Sequence, residues 1–195
     1  PFGFGMSYTT FEWTVDDIKV DGTSVATDSA VITESSVIEF TVTVKNTGDT
    51  AGRDVVEIFG TAPYTPGGIE KSAVELVGYG KTNVIEPKAS ETIVVTVNMY
   101  DIASYDCYDK NGNGIKGYEL DKGKYTFKLS TDSHTVNTVS YKGESIRGEF
   151  DFILNETKHI AIDPVTKQPV KNLFTGEDAV DIVPIDDTTS TFTPD

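Results

Sequence analysis

Apolar side chains recur at every second residue along most of this chain. In the clearest run, residues 37–44, four apolar side chains alternate with Glu39, Thr41 and Thr43. Such alternation is typical of a strand with one face in a core and the other in solvent. Further strands are expected at 11–20, 55–59, 74–79, 92–97, 125–129 and 135–141, with a late pair at 146–154 and 159–162.

Short clusters of turn-forming residues separate these runs. Glycine, proline, asparagine and aspartate, which favour tight turns, are concentrated at 46–49, 66–68, 86–88, 111–114 and 121–123. No helix longer than one or two turns is expected. About seven short strands with this spacing predict an all-β fold, an antiparallel β-sandwich of immunoglobulin or fibronectin III type.

Charge excludes two classes of partner. The 195 residues include 31 acidic and 16 basic side chains, which gives a formal net charge of −15. A chain this negative would repel phosphate backbones and anionic lipid headgroups. No apolar run approaches the roughly 18 residues that a membrane span requires. We therefore expect neither a nucleic-acid partner nor a membrane partner.

The composition changes after Asp163, where prolines become frequent and the alternation ends. We expect residues 1–10 to be a linker from a preceding domain, 11–155 to be the sandwich, and 156–195 to be an extended linker or strap. The strap is too apolar for a freely solvated tail, so it is expected to pack on this sandwich or on a domain outside the chain.

The chain has few candidates for catalysis. Its two histidines, His134 and His159, lie in no recognisable nucleophile motif. The single cysteine, Cys107, lies between Asp106 and Asp109, and nearby carboxylates disfavour a reactive thiolate. Phosphate-binding and zinc-binding spacings are absent from the sequence. We expect the chain to contain no catalytic residue and to need no cofactor.

One loop begins like a calcium-binding loop. Asp109, Asn111 and Asn113 occupy positions 1, 3 and 5 of the signature, and a glycine follows at position 6. Position 12, a bidentate glutamate in an EF-hand, is Leu120, while Glu119 comes one residue early. Helical flanks are also not expected. Two interpretations stay open, a calcium site and a glycine-rich connection between strands, and the incomplete signature favours the connection.

Several segments, in the same order, resemble one known domain. The opening Pro-Phe-Gly-Phe-Gly-Met-Ser-Tyr-Thr is followed by Val-Thr-Val-Lys-Asn-Thr-Gly at 42–48, Leu-Val-Gly-Tyr-Gly-Lys at 76–81, Glu-Pro-Lys-Ala-Ser-Glu-Thr at 86–92 and Glu-Leu-Asp-Lys-Gly-Lys-Tyr at 119–125. This order is similar to that of the fibronectin III-like domain of glycoside hydrolase family 3, which includes β-glucosidases and β-xylosidases. Ala89 departs from the pattern, because the family usually has glycine there.

The resemblance implies a role without catalysis. In this family the nucleophilic aspartate comes from a TIM-like barrel, and the acid/base usually comes from an α/β sandwich domain. Neither motif occurs here, and the only tryptophan, Trp13, follows a glutamate. The resemblance implies a structural accessory domain that braces the catalytic barrel and the α/β sandwich domain of one parent enzyme, a β-glucosidase of carbohydrate metabolism.

Residues 105–120 and 162–172 further resemble a bacterial subset of the family with permuted domain order. In that subset the fibronectin-like domain is followed by a linker that runs on to the barrel. The resemblance favours the bacterial cytoplasm over secretion. It also implies that the strap is the beginning of that linker.

Two loops, 62–71 and 105–119, are long and rich in tyrosine. They could shape the substrate entrance of the parent enzyme, or their aromatic residues could simply pack at one end of the sandwich. An independent carbohydrate- or protein-binding module is the alternative function. Trp13 is predicted to face the core, which leaves few aromatic platforms for that alternative. The loop tyrosines are Tyr64, Tyr105, Tyr108 and Tyr118.

Overall fold

A computed structural model describes residues 1–26 and 30–171. These residues form an all-β fold, as the alternation predicts, with one 3-10 turn at Met99–Ile102 and no helix that could cross a membrane. The strands are β1 (Phe11–Val20), β2 (Thr23–Ser24), β3 (Ala30–Ile32), β4 (Val37–Asn46), β5 (Val55–Thr61), β6 (Glu75–Lys81), β7 (Ser90–Asn98), β8 (Ser104–Asp106), β9 (Gly117–Leu120), β10 (Gly123–Ser130), β11 (Thr138–Tyr141), β12 (Glu144–Arg147), β13 (Glu149–Leu154) and β14 (Lys158–Ile160).

Two larger sheets pack face to face as a sandwich. The first has the order β12-β11-β1-β4-β7, with β2 beside β1, and the second has the order β3-β13-β10-β5-β6. Their inner faces share one hydrophobic core. In that core the ring of Phe40 in the first sheet lies 5.8 Å from Phe150 and 6.5 Å from Phe152 in the second. The expected β-sandwich is confirmed.

Strand β1 shows how the sequence keeps its apolar side chains inside. Trp13 and Val15 are buried at alternate positions, but the next buried residue, Ile18, comes three positions later. The pairing with β4 shifts register between Val15 and Asp17. One extra residue in a strand restores the inward direction after such a break. The predicted inward position of Trp13 is confirmed, because only 2% of the residue is exposed.

The sheets are mixed rather than wholly antiparallel. Strand β11 runs parallel to β1, and β3 runs parallel to β13, whereas the other ladders are antiparallel. The prediction of one late strand over 146–154 is wrong, because β12 ends before Gly148 and β13 begins after it. The N–H of Gly148 donates to the Asn137 carbonyl instead of joining either strand. Strands β2, β3, β8 and β9, of two to four residues each, were missed because they are too short to show a period.

A small third sheet, β14-β9-β8, carries the chain beyond the expected domain end at 155. After β14 the chain turns back on itself, with a bridge between Ile162 and Pro169 and a hydrogen bond from the Val170 N–H to the Ala161 carbonyl. The beginning of the predicted strap is therefore paired β-structure. Its remaining residues, 172–195, lie outside the described part of the chain.

Residues 1–10 form no strand but lie against the sandwich. The Thr9 hydroxyl donates to the side-chain oxygen of Asn46 at 2.6 Å, and the Thr47 N–H donates to the Thr10 carbonyl at 2.8 Å. Closer to the N-terminus, the Ser133 N–H donates to the Phe2 carbonyl at 2.9 Å. These bonds fix the backbone of the predicted linker along one side of the domain.

Candidate functional site

The two tyrosine-bearing loops lie side by side. The amine of Lys71 donates to the Pro63 carbonyl at 2.8 Å and to the Asp121 carboxylate at 2.6 Å, which ties the first loop to the turn before β10. A groove runs between this loop and the small sheet. It is lined by Glu70, Lys71, Ser72, Glu75, Ala103, Ser104, Tyr105 and Tyr118. We take this end of the molecule as the candidate site.

The four predicted tyrosines divide into two pairs. Tyr105 and Tyr118 are half-buried, and their ring centroids lie 4.9 Å apart in an edge-on arrangement. Tyr64 and Tyr108 instead expose 51% and 62% of their surface. The structure therefore brings Tyr105 and Tyr118 together at the groove and leaves Tyr64 and Tyr108 directed to solvent.

Tyr100 belongs to the same aromatic group, although the sequence did not indicate it. Its ring centroid lies 5.8 Å from that of Tyr118, and its hydroxyl donates to the Asp163 carboxylate at 3.0 Å. Burial, reinforced by this carboxylate, raises the pKa of Tyr100 to about 12. Tyr100 lies in the turn after β7, so only the fold brings it beside Tyr118.

The calcium-like loop meets β9 through Glu119. The side-chain amides of Asn111 and Asn113 both donate to Oε2 of Glu119, at 3.0 and 2.6 Å. Asp109 instead accepts the Gly114 N–H through both carboxylate oxygens at 3.1 Å, which closes the turn. Of the three predicted calcium residues, two therefore contact Glu119, and the third holds the loop in shape.

Asp106 forms the base of this loop. Its side chain is buried, with only 2% of the residue exposed. One carboxylate oxygen accepts the Tyr108 N–H at 3.1 Å, and the other accepts the N–H groups of Lys110 and Asn111 at 2.7 and 3.4 Å. Hydrogen bonds of this kind satisfy a buried carboxylate with backbone donors. Sequence reasoning missed this role, because Asp106 lies before the recognisable motif.

One of the two histidines belongs to this end, because His159 on β14 is the pairing partner of Glu119 on β9. His134 and His159 are both exposed. Burial raises the pKa of Asp54, although the Trp13 indole N–H donates to that carboxylate at 2.6 Å and partly offsets the effect. Among the described residues no cluster of three His, Cys, Asp or Glu side chains has metal-binding geometry.

Comparison with known proteins gives a consistent result. No protein-family model matches the chain. A β-glucosidase of Ruminococcus albus is 36% identical over 171 residues, which cover 85% of this chain and 15% of that protein. β-Glucosidase A of Butyrivibrio fibrisolvens is 34% identical over 148 residues, which cover 74% of this chain and 17% of that protein. This chain is similar to one segment of β-glucosidases. It spans less than one fifth of the length of these relatives.

Solved structures agree with the β-glucosidase-like assignment of the segment. The β-glucosidase of Paenibacillus barengoltzii superposes with a TM-score of 0.60 at 26% identity, over 84% of this chain and 17% of that one. β-Glucosidase 3B of Thermotoga neapolitana, solved with α-D-glucose, superposes with a TM-score of 0.58 at 25% identity. The superposition covers 82% of this chain and 18% of that one. The Ruminococcus albus match covers 85% of the chain and so extends beyond the span 11–155.

Proposed function

We propose that this chain is a non-catalytic accessory domain, of fibronectin III type, in a family 3 glycoside hydrolase. It braces the catalytic barrel and the α/β sandwich domain of a parent β-glucosidase. The observation that carries the proposal is its similarity to a single segment of β-glucosidases, most of whose length lies outside the matched region.

The surface formed by residues 1–10 supports a partner within the same enzyme. Phe2, Phe4, Met6 and Tyr8 expose between 60% and 99% of their surface, although hydrogen bonds fix the backbone of the segment against the sandwich. A group of exposed apolar side chains of this kind typically marks an interaction site. In the proposed arrangement this N-terminal face packs against a catalytic domain of the parent enzyme.

The loop tyrosines have a second proposed role at the substrate entrance. Tyr64 and Tyr108 present exposed rings, whereas Tyr105 and Tyr118 are half-buried and pack against each other at the groove. A tyrosine ring offers an apolar face and a polar hydroxyl, which suits contact with a sugar. Replacing both loops by short turns in the parent enzyme should raise KM for long oligosaccharides and leave kcat for an aryl glucoside unchanged. Unchanged kinetics on both substrates would reject this role.

Retaining hydrolysis requires two carboxylates about 5 Å apart on either side of a bound sugar. The described carboxylates with raised pKa, Asp54 and Glu57, belong to the sandwich rather than to the groove. Asp54 is further bound to the indole of Trp13. This placement supports a bracing role rather than a hydrolytic one.

A chimaera tests the accessory role directly. The matched segment of the Ruminococcus albus β-glucosidase is replaced by this chain, and a deletion of that segment is prepared in parallel. We expect the chimaera to remain folded and to hydrolyse an aryl β-glucoside, the deletion to lose both properties, and the isolated chain to show no turnover. Turnover by the isolated chain, or full activity of the deletion, would contradict the proposal.

The exposed rings of Tyr64 and Tyr108 also favour the alternative of an independent carbohydrate-binding module. Calorimetric titration of the isolated chain with soluble glucan oligosaccharides separates the two functions. An accessory domain should give no saturable heat. Saturable binding that is lost in a Tyr64→Ala, Tyr108→Ala double variant would establish the binding module instead.

A further inference from the structure

The carboxylate of Glu119 is almost completely buried. Only 1% of the residue is exposed. Its Oε2 atom accepts two amide hydrogen bonds, from Asn111 and Asn113, whereas its Oε1 atom has no hydrogen-bond partner among the described residues. A buried carboxylate oxygen left in this state is costly, because its charge has lost water without gaining a compensating group.

The loop that faces Glu119 supplies only oxygen ligands. Asp109, Asn111 and Asn113 alternate along a tight turn that has positive φ angles at Asp109 (56°) and Gly112 (68°). The turn folds back on β9, so that two of these side chains reach the Glu119 carboxylate. Carboxylate and amide oxygens without nitrogen or sulfur ligands are the preferred environment of a hard divalent cation.

We propose that this loop and strand β9 form a Ca²⁺ site with Asp109, Asn111, Asn113 and Glu119 as ligands. Glu119 supplies both carboxylate oxygens, including the unpartnered Oε1. The two carboxylates balance the charge of one divalent cation. An irregular loop of this kind suits Ca²⁺, which accepts variable oxygen coordination, whereas Mg²⁺ requires a near-ideal octahedral cage.

The position of Glu119 explains why the signature looks incomplete. In an EF-hand the twelfth residue lies on a helix, which rises about 1.5 Å per residue. Here the acidic residue lies on a strand, which rises about 3.3 Å per residue and alternates its side chains between two faces. The number of residues between the loop and a carboxylate that faces it therefore differs from that in an EF-hand. Here Glu119, at position 11, takes the place of the glutamate at position 12.

Occupation of the site requires both asparagine amides to rotate. Asn111 and Asn113 are exposed, and their side-chain oxygens now accept the N–H groups of Asn113 and Ile115 at 3.1 and 2.8 Å. Rotation exchanges these two bonds for oxygen ligands to the ion. Asp106 is not among the proposed ligands, because it is buried at the base of the loop, where it accepts the N–H groups of Tyr108, Lys110 and Asn111. It is a positioning residue that fixes the start of the loop below the ion.

Calcium binding is measured on the 195-residue chain after removal of metal with a chelator. Calorimetric titration with CaCl2 should show one site with a Kd between about 10⁻⁵ and 10⁻³ M. Millimolar Ca²⁺ should raise Tm, whereas NaCl at equal ionic strength and Mg²⁺ should not. Bound Tb³⁺ should give luminescence on tyrosine excitation, since Tyr105 and Tyr118 lie close to Glu119, and Ca²⁺ should displace it.

Variants locate the ion. Glu119→Gln should abolish binding, and Asn113→Ala, at an exposed position that does not threaten folding, should weaken it by about tenfold or more. Lys116→Ala, in the same loop but without a ligand oxygen, is the matched control and should bind as the wild type does. Absence of saturable binding and of a Tm shift in the wild type would overturn the proposal. Wild-type affinity for Ca²⁺ in both Glu119→Gln and Asn113→Ala would also overturn it. If Glu119→Gln fails to fold, wild-type affinity in Asn113→Ala alone would overturn the proposal.

Discussion

Lys71 and Asp121 form an ion pair of 2.6 Å in which the lysine side chain is only 4% exposed. The same amine donates to the Pro63 carbonyl at 2.8 Å. One buried cation therefore holds the first tyrosine-bearing loop against the turn before β10. The groove at the candidate site depends on this contact, because Lys71 also lines it.

Replacing Lys71 by methionine should lower the free energy of unfolding by about 1–3 kcal/mol, because Asp121 and the Pro63 carbonyl lose their donor. Urea unfolding of the isolated chain measures the change. Lys88→Met is the matched control, since its amine also contacts one carboxylate, that of Asp49, and one backbone carbonyl. That pair is 61% and 92% exposed, and its loss should cost less than about 1 kcal/mol. Equal effects of the two substitutions would show that Lys71 does not organise the loop.

Glu57 should make the domain less stable as the pH rises. Burial, reinforced by the charge of Asp132, raises the pKa of Glu57 above its ordinary value of 4.5. The native state then holds the proton more tightly than the unfolded state does. At a pH below 4.5, the ordinary pKa of glutamate, this contribution to stability is fully present. It is lost as the pH rises through the higher pKa that Glu57 has in the native state.

Glu57→Gln removes this titration, so the variant should be more stable than the wild type at neutral pH and should lose the advantage in acid. Urea unfolding at a series of pH values from about 4 to about 8 measures the difference. Glu144→Gln, at an exposed position on β12, is the control and should follow the wild-type profile. A constant difference between Glu57→Gln and the wild type at every pH would contradict the assignment.

Tyr100 should stabilise the turn after β14. Its hydroxyl donates to Asp163, which also accepts the N–H groups of Val165 and Thr166 at 2.8 and 2.7 Å. Tyr100→Phe should lower the free energy of unfolding by about 0.5–1.5 kcal/mol and speed amide exchange at Val165 and Thr166. Tyr79→Phe, at an exposed ring, is the control. Unchanged exchange in Tyr100→Phe would show that the turn holds without this bond.

How much the sequence predicts depends on the distance over which an interaction acts. The alternation in β4 predicted a half-buried strand because each side chain reports its own burial. The parallel pairing of β1 with β11 joins segments more than 100 residues apart, and no local pattern encodes it. The same limit applies at the candidate site. The motif from Asp109 to Gly114 is local and was recognised, whereas the contact of Tyr100 with Tyr118 depends on the fold.

The N-terminal face should matter only when the rest of the enzyme is present. Phe4 and Met6 expose 60% and 93% of their surface, so a Phe4→Ser, Met6→Ser double variant should change the stability of the isolated chain by less than about 0.5 kcal/mol. In the chimaera with the Ruminococcus albus enzyme the same substitutions should lower Tm by several degrees, because an apolar interface would lose two anchors. Val94→Ser, at a similarly exposed position on β7, is the control and should change neither protein. Equal Tm values for the variant and the parent chimaera would show that this face does not contact a catalytic domain. A large loss of stability in the isolated chain would instead show that the segment serves the sandwich itself.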